Sequence, residues 1–181
     1  VIAIRRAGLA DAAAIGAVHV AAWRSTYPGL LPDNYLANLS PTRLALHYKA
    51  AVATGATVYV AASDAPGPRV VGFVTAGAAR TKVMGKALGE GEIETLYVLD
   101  DWRDQGVGRR LLQAAAKQLT ARGCRSAFVW VLCDNPSRWF YQRLGGQTAA
   151  LGQTRLAGVA LPQVAYTWDP IDRLLAASPA R

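Results

Sequence analysis

The residues with the clearest chemical meaning stand together. Arg103-Asp104-Gln105-Gly106-Val107-Gly108 separate an apolar run, EIETLYVL (92–99), from a pattern in which Val107, Leu111, Leu112, Ala115 and Leu119 share one helical face. Glycines at a helix start let a ligand approach the backbone closely. The unpaired N–H groups and the positive end of the helix dipole then face that ligand. Such a site binds phosphate or pyrophosphate without needing lysine. A dinucleotide fingerprint requires a third glycine where Leu111 stands, and the Gly-Lys-Ser/Thr of a P-loop is absent.

Just before this turn, Glu92 and Glu94 lie two apart on a predicted strand and so share a face, which residues 96 and 98 continue. Paired carboxylates there are candidates for taking a proton; solvated glutamates at a strand end are the plainer reading. Downstream, Asn135-Pro136 opens a predicted helix over 136–144 that carries Tyr141, either as a hydrogen-bonding phenol or as a ring packed on the helix face. Trp23, Tyr27 and Tyr35 are either the wall of a substrate pocket or core aromatics. His19 and His47 read as helix-face or surface residues. Arg109-Arg110 is an adjacent basic pair, suited to a phosphate contact or to a solvated helix surface. Cys124 and Cys133 flank one apolar run and read as two small buried thiols; Cys133 has no neighbouring histidine to make it a nucleophile.

Positioning these residues requires a series of elements. Leu9, Ala12, Ile15, Val18, Ala22 and Trp23 recur at helical spacing, and the opening VIAIRRAGLADAAAIG reads as part of an amphipathic helix. Short helices follow over 33–39 and 41–53, with Asp33 and Ser40 as N-caps and Pro41 at a first helical position. TVYVAAS (57–63) and RVVGFVTAG (69–77) form a hairpin across DAPGP. A polar loop, the strand 92–99, a helix over about 106–121 closed by Gly123, and a central strand over 126–132 come next. Two more strands are predicted near 147–155 and 159–168. This order gives a mixed α/β sheet rather than a bundle or sandwich.

Composition agrees with one globular domain. The chain has 181 residues, 52% hydrophobic and 18% charged. No apolar run reaches the length of a membrane span, and the start does not resemble a signal peptide. The two cysteines suggest neither a disulfide framework nor a metal site, and they fit a reducing cytoplasm. The net charge of +8 suits an anionic partner. The basic residues are dispersed, however, and no helix is rich in Arg, Asn and Gln, so no nucleic-acid partner is expected.

Arg103-x-x-Gly106-x-Gly108 after Leu96-Tyr97-Val98 resembles the acetyl-CoA signature of the GCN5-related N-acetyltransferases. Asn135-Pro136-Ser137-Arg138-Trp139-Phe140-Tyr141 with Leu144-Gly145 is similar to that family's second cofactor segment. Ala22-Trp23-Arg24, Tyr27, Gly29-Leu30-Leu31-Pro32 and Tyr35-Leu36 look like the first-helix region of one bacterial branch. Together these cover most of residues 1–168. Two departures stand out: the Asn135-to-Tyr141 spacing is one residue shorter than the commonest, and Gly146 stands where many members have Phe.

The resemblance implies a mostly antiparallel, six- to seven-stranded twisted sheet flanked by helices, with a single domain over 1–170 and a tail over 171–181. It implies acetyl transfer from acetyl-CoA to a small-molecule or peptide amine, without a metal, in a family where homodimers are common. The backbone of Leu96, Tyr97 and Val98 would pair with the pantetheine arm. Amides of Arg103 and of Gln105, Gly106, Val107, Gly108 and Arg109 would grip the pyrophosphate. Asn135 would hydrogen-bond the pantetheine, Tyr141 would sit by the thioester sulfur, and Trp23 and Tyr27 would wall the acceptor. Glu92 or Glu94 would be the base, with Glu92 preferred because Gly91-Glu92 matches the family pattern four residues before Leu-Tyr-Val. Asp33 and Glu90 are further acidic residues available to a cationic acceptor. A non-catalytic acyl-CoA-binding module of the same fold is the first alternative, and a basic nucleic-acid-binding protein, suggested by the charge of +8, ranks after it.

Overall fold

The structure is a computed structural model that describes residues 1–64, 67 and 69–177. Three residues of the expected DAPGP turn (65, 66 and 68), and 178–181 of the expected tail, lie outside the described residues. The elements are β1 (Ile2–Arg6), α1 (Ala12–Thr26), α2 (Asp33–Ala37), α3 (Pro41–Ala53), β2 (Thr57–Ser63), β3 (Arg69–Ala78), β4 (Gly91–Val98), α4 (Val107–Ala121), β5 (Ala127–Leu132), α5 (Ser137–Arg143), β6 (Gln147–Leu156), β7 (Val159–Trp168) and α6 (Asp172–Leu175). Seven strands are hydrogen-bonded in the order β1-β2-β3-β4-β5-β7-β6. β4 and β5 pair in parallel, whereas β1/β2, β5/β7 and β6/β7 are antiparallel. This is the mixed α/β class the element order predicts.

The chain divides into two compact units, Val1–Thr75 with Thr95–Ala115, and Ala76–Glu94 with Ala116–Arg181. In the first, Ile15, Val18, Tyr48, Val58, Val60, Val70 and Phe73 form a buried cluster. Helix α1 packs closely on α3 because Gly16 has no side chain: a Cβ there would lie 2.6 Å from the Pro41 carbonyl oxygen and 2.9 Å from the Ala45 nitrogen. Helix α3 starts as its sequence predicts, with the Ser40 hydroxyl accepting the Arg43 N–H at 3.2 Å and Pro41 in the first turn.

The opening residues correct the helical reading. Ile2–Arg6 is a strand, with Ile2 and Ile4 half-buried and Ala3 and Arg5 exposed, in register with β2 from Ile2↔Ser63 to Arg6↔Tyr59. Five residues are too few for periodicity to separate strand from helix; the partner strand decides.

In the second unit, β5 is buried on nearly every residue, and Trp168 and Tyr166 of β7 are fully buried. The Trp168 indole donates to the Leu144 carbonyl at 3.0 Å, satisfying the polar atom of a buried ring. Past β7 the chain is ordered into α6, with Ile171 and Leu174 buried; those described residues of the expected tail are packed. No helix among the described residues is long and apolar enough to cross a membrane.

Candidate active site

In the first unit, the second half of β4 runs into the glycine-containing loop. Two backbone features set the entry to α4: Asp104 has φ +58° and Gly106 φ +75°, both left-handed. Glycine adopts that conformation without strain. The first turn bond of α4 is Arg110 N–H to the Gly106 carbonyl, 3.1 Å, so the amides of Val107 and Gly108 precede it and have no intrahelical acceptor. Val107 is buried, which anchors the turn. These residues fit a phosphate ligand through backbone alone.

The Arg103 side chain is engaged elsewhere. It pairs with Asp100 at 3.0 Å and donates to the Thr26 hydroxyl at 3.2 Å and to the Val98 carbonyl at 3.4 Å. Asp100 also accepts from the Ser25 hydroxyl. The loop after β4 is thereby tied to the last turn of α1. Gln105 donates to the Asp101 carbonyl at 2.8 Å, closing the loop on itself.

The aromatic residues of α1 gather around Tyr97. Ring centroids of Trp23 lie 5.0 Å from Tyr27, 6.5 Å from Tyr35 and 6.5 Å from Tyr97. His19 lies between two of them, 5.1 Å from Trp23 and 5.0 Å from Tyr97, with Nδ1 2.7 Å from the Tyr48 hydroxyl. Burial, reinforced by His47, lowers the His19 pKa to about 4, so the imidazole is neutral near pH 7. His19 is a helix-face residue, as its spacing predicts, with that face turned to aromatic rings. The available signal was its position four residues before Trp23, which places both on one side of α1.

In the second unit, both glutamates reach Arg80, as their shared strand face predicts. Arg80 Nε is 3.1 Å from Glu94 Oε1 and 4.0 Å from Glu92 Oε2. Their environments differ. Glu92 is buried, at 4% exposure; its Oε2 accepts the Arg80 and Thr81 backbone N–H groups at 2.8 and 3.2 Å, and its Oε1 accepts the Thr81 hydroxyl at 3.3 Å. Glu94 is half-buried. Arg80, Thr81 and Trp130, whose indole donates to the Thr81 hydroxyl oxygen at 3.1 Å, escaped the sequence reading; nothing local joins a loop residue to a strand residue 49 positions away. Glu90, considered for a cationic acceptor, is taken by Arg125 through its backbone N–H at 2.7 Å and its guanidinium at 2.9 Å. These bonds hold the Glu90 carboxyl below its usual range.

Asn135 and Tyr141 are both buried. Asn135 Oδ1 accepts the Ser137 N–H at 2.9 Å, so the residue shapes the start of α5, as Asn before a helix does. The Tyr141 ring lies 6.2 Å from Trp168, edge-on, and 6.3 Å from Tyr166, stacked. The Gly146 N–H donates to the Tyr141 carbonyl at 3.0 Å. Cys124 and Cys133 are free and half-buried rather than buried; burial nevertheless pushes the Cys124 thiol up. Among the described residues, no three His, Cys, Asp or Glu side chains are grouped to hold a metal.

A strand, a left-handed glycine turn and a helix start suited to a phosphate group mark the α/β class of anion-binding turns, and comparison with known proteins gives the family. The sequence profile of the acetyltransferase (GNAT) family matches residues 20–146. The chain is 35% identical over 173 residues to the uncharacterized N-acetyltransferase YuaI of Bacillus subtilis, covering 96% of each. Its fold is similar to that of an N-acetyltransferase from Staphylococcus aureus (TM-score 0.69, 20% identity, 93% of this chain and 98% of that one). It is also similar to that of YncA from Salmonella typhimurium with its cofactor acetyl-CoA (TM-score 0.68, 21% identity, 99% and 96%). The chain belongs to the GNAT family and is an acetyltransferase.

Proposed function

We propose that this chain transfers the acetyl group of acetyl-CoA directly to a primary amine, with Glu92 as base and Tyr141 beside the departing thiolate. The observation that carries the reading is the turn into α4, where left-handed Gly106 sets the helix start and its carbonyl accepts the Arg110 N–H at 3.1 Å. The amides of Gln105, Val107, Gly108 and Arg109 receive the pyrophosphate, whereas the Arg103 N–H is taken by the Asp100 carbonyl at 3.1 Å. The backbone of Leu96, Tyr97 and Val98 lines the pantetheine arm. Asn135 hydrogen-bonds the pantetheine from the start of α5. Trp23 and Tyr27 wall the acceptor.

The chemistry sets what the residues must do. A lysine-like amine with pKa ~10.4 is neutral only about once in 2,500 molecules at pH 7, so a base that removes its proton contributes ~10²–10⁴ in rate. The amine nitrogen attacks the thioester carbon, the C–N bond forms, the C–S bond breaks, and the thiolate leaves. Proton transfer from a phenol of pKa ~10 to a thiolate whose conjugate thiol has pKa ~8.5 is uphill by ~1.5 units. A hydrogen bond to the developing sulfur charge is therefore the larger part of the role of Tyr141.

Calorimetric titration with acetyl-CoA, followed by free-thiol release with an N-terminal-alanine peptide, 1,4-diaminobutane and other amines, tests the reading. Wild type should bind acetyl-CoA and release thiol only with an amine present, and Glu92→Gln and Tyr141→Phe should slow release while retaining binding. Binding without turnover across the amines would favour a non-catalytic acyl-CoA module. Absence of binding would overturn both.

A further inference from the structure

The two oxygens of Glu92 are not equivalent. Oε2 is consumed by two backbone N–H groups, at 2.8 and 3.2 Å, and faces Arg80 Nε at 4.0 Å. Oε1 meets only the Thr81 hydroxyl in the same set of contacts, at 3.3 Å. The direction of that bond follows from its neighbour. The Trp130 indole lies 3.1 Å from Thr81 Oγ1, and an indole nitrogen can only donate. It fills a lone pair of Oγ1, and an ionised Glu92 can only accept, so the hydroxyl hydrogen points at Oε1. Trp130 is itself held in place: it pairs with Ala165 of β7, and Gly152 of β6 lies so close that a Cβ there would be 3.4 Å from the indole ring.

We propose that Thr81, oriented by Trp130, is the positioning residue that reserves Oε1 of Glu92 as the oxygen that takes the acceptor's proton. This rests on the reading of Glu92 as the base. The N–H bond of the amine breaks and an O–H bond forms on Oε1, while Oε2 stays on its backbone donors. Thr81 serves both states because its oxygen has two lone pairs. Once Oε1 carries a proton, Oγ1 accepts that O–H alongside the Trp130 N–H, and its own hydrogen turns to solvent, to which Thr81 is exposed. The charged groups against Glu92 are Arg80 from the loop and Glu94 from its own strand; its neighbour on β5, Phe128, is uncharged. A hydroxyl bond to an ionised carboxylate is stronger than one to the neutral acid, so its loss favours protonation.

The experiment follows the carboxyl carbon of Glu92 by NMR in full-length protein labelled at the glutamate side chain, with Glu92→Gln to assign the signal. Thr81→Val should move the titration midpoint to higher pH, by roughly half to one unit, and Trp130→Phe should move it the same way by less. Thr81→Ser should restore the wild-type midpoint. With 1,4-diaminobutane as acceptor probe, the acidic limb of kcat/KM should move with the midpoint while KM for acetyl-CoA stays constant. An unmoved midpoint in Thr81→Val, or a failure of Thr81→Ser to restore it, overturns the proposal. A moved midpoint with Glu92→Gln keeping the wild-type pH–rate profile would instead remove Glu92 as the base, and with it the catalytic meaning of the Thr81 contact. The NMR measurement needs no turnover, so the two failures are distinguishable.

Discussion

His19 and Tyr48 are 29 residues apart and share a 2.7 Å hydrogen bond between imidazole Nδ1 and phenol oxygen, within a cluster of rings that keeps the imidazole neutral. The consequence is a pH-dependent stability. Burial lowers the folded-state pKa to about 4, whereas in the unfolded chain histidine titrates near ~6.5. As pH falls, the unfolded state binds the proton first. The stability contributed by keeping His19 neutral is complete above about 6.5 and lost progressively down to about 4. Because the ring is partly solvated, the loss is on the order of 1–3 kcal/mol rather than the full shift. Urea unfolding at pH 7.5 and pH 4.5 should show it, and His19→Phe should flatten the difference. Equal pH slopes in the two proteins would exclude His19 as the source.

Arg103 and Gly106 belong to the same motif but act differently, so their substitutions should separate. The Arg103 side chain is occupied by Asp100, Thr26 and Val98, so under the proposed function its effect on cofactor binding runs through the placement of the loop. An exposed ion pair contributes ~0–1 kcal/mol, so Arg103→Ala should weaken acetyl-CoA binding no more than about fivefold. Gly106→Val must place a β-branched residue at φ +75°, a conformation that costs such residues heavily, and should weaken binding by more than tenfold. Calorimetry on both variants decides; a larger loss for Arg103→Ala would mean that its guanidinium, not the backbone, meets the phosphates.

These cases mark what could be read from the chain. The strand–turn–helix around Gly106 was legible because its signals are local: a β-rich run, polar turn residues, glycines and a helical apolar face all fall within thirty residues. The shared face of Glu92 and Glu94 followed from strand periodicity alone. What held each carboxylate did not, because Arg80 and Thr81 lie in a loop without periodicity and Trp130 comes from a strand far along the chain. β1 was missed for a related reason, since only its pairing with β2 makes five residues a strand. Gly146 could be seen as a departure from its family, but the atoms that exclude a side chain there come from α5 and β7, Tyr141 O at 2.8 Å, Trp168 at 3.0 Å and Tyr166 at 3.2 Å.

Gly16 illustrates a constraint of the same kind in the first unit. Alanine is the better helix former by about 1 kcal/mol, so a surface position would gain from Gly→Ala. Here the new Cβ would lie 2.6 Å from the Pro41 carbonyl oxygen and 2.9 Å from the Ala45 nitrogen. Both are backbone atoms, which cannot rotate away. Overpacking of this kind costs roughly 1–3 kcal/mol and outweighs the propensity gain. Gly16→Ala should lower the urea midpoint, with an unchanged denaturant slope if the helices shift without unfolding. A raised midpoint would mean that α1 and α3 separate at little cost.

Gly146 and Tyr141 couple packing to the proposed chemistry. The Gly146 N–H holds the Tyr141 carbonyl at 3.0 Å. A Cβ at Gly146 would sit 2.8 Å from that same carbonyl oxygen, 3.0 Å from the Trp168 ring and 3.2 Å from the Tyr166 Cβ. The two aromatic residues are fully buried, so the strain is relieved most easily at the end of α5, which carries Tyr141. Gly146→Ala should therefore destabilise the fold by roughly 1–3 kcal/mol and displace the phenol. A misplaced group near the reacting centre can lower rate by up to about 10²-fold, so kcat should fall while KM for acetyl-CoA changes little. In Gly146→Ala combined with Tyr141→Phe, the kinetic losses should not add, because the second substitution removes the hydroxyl that the first misplaces. Full additivity in kcat would show that Gly146 acts on the fold without acting through Tyr141.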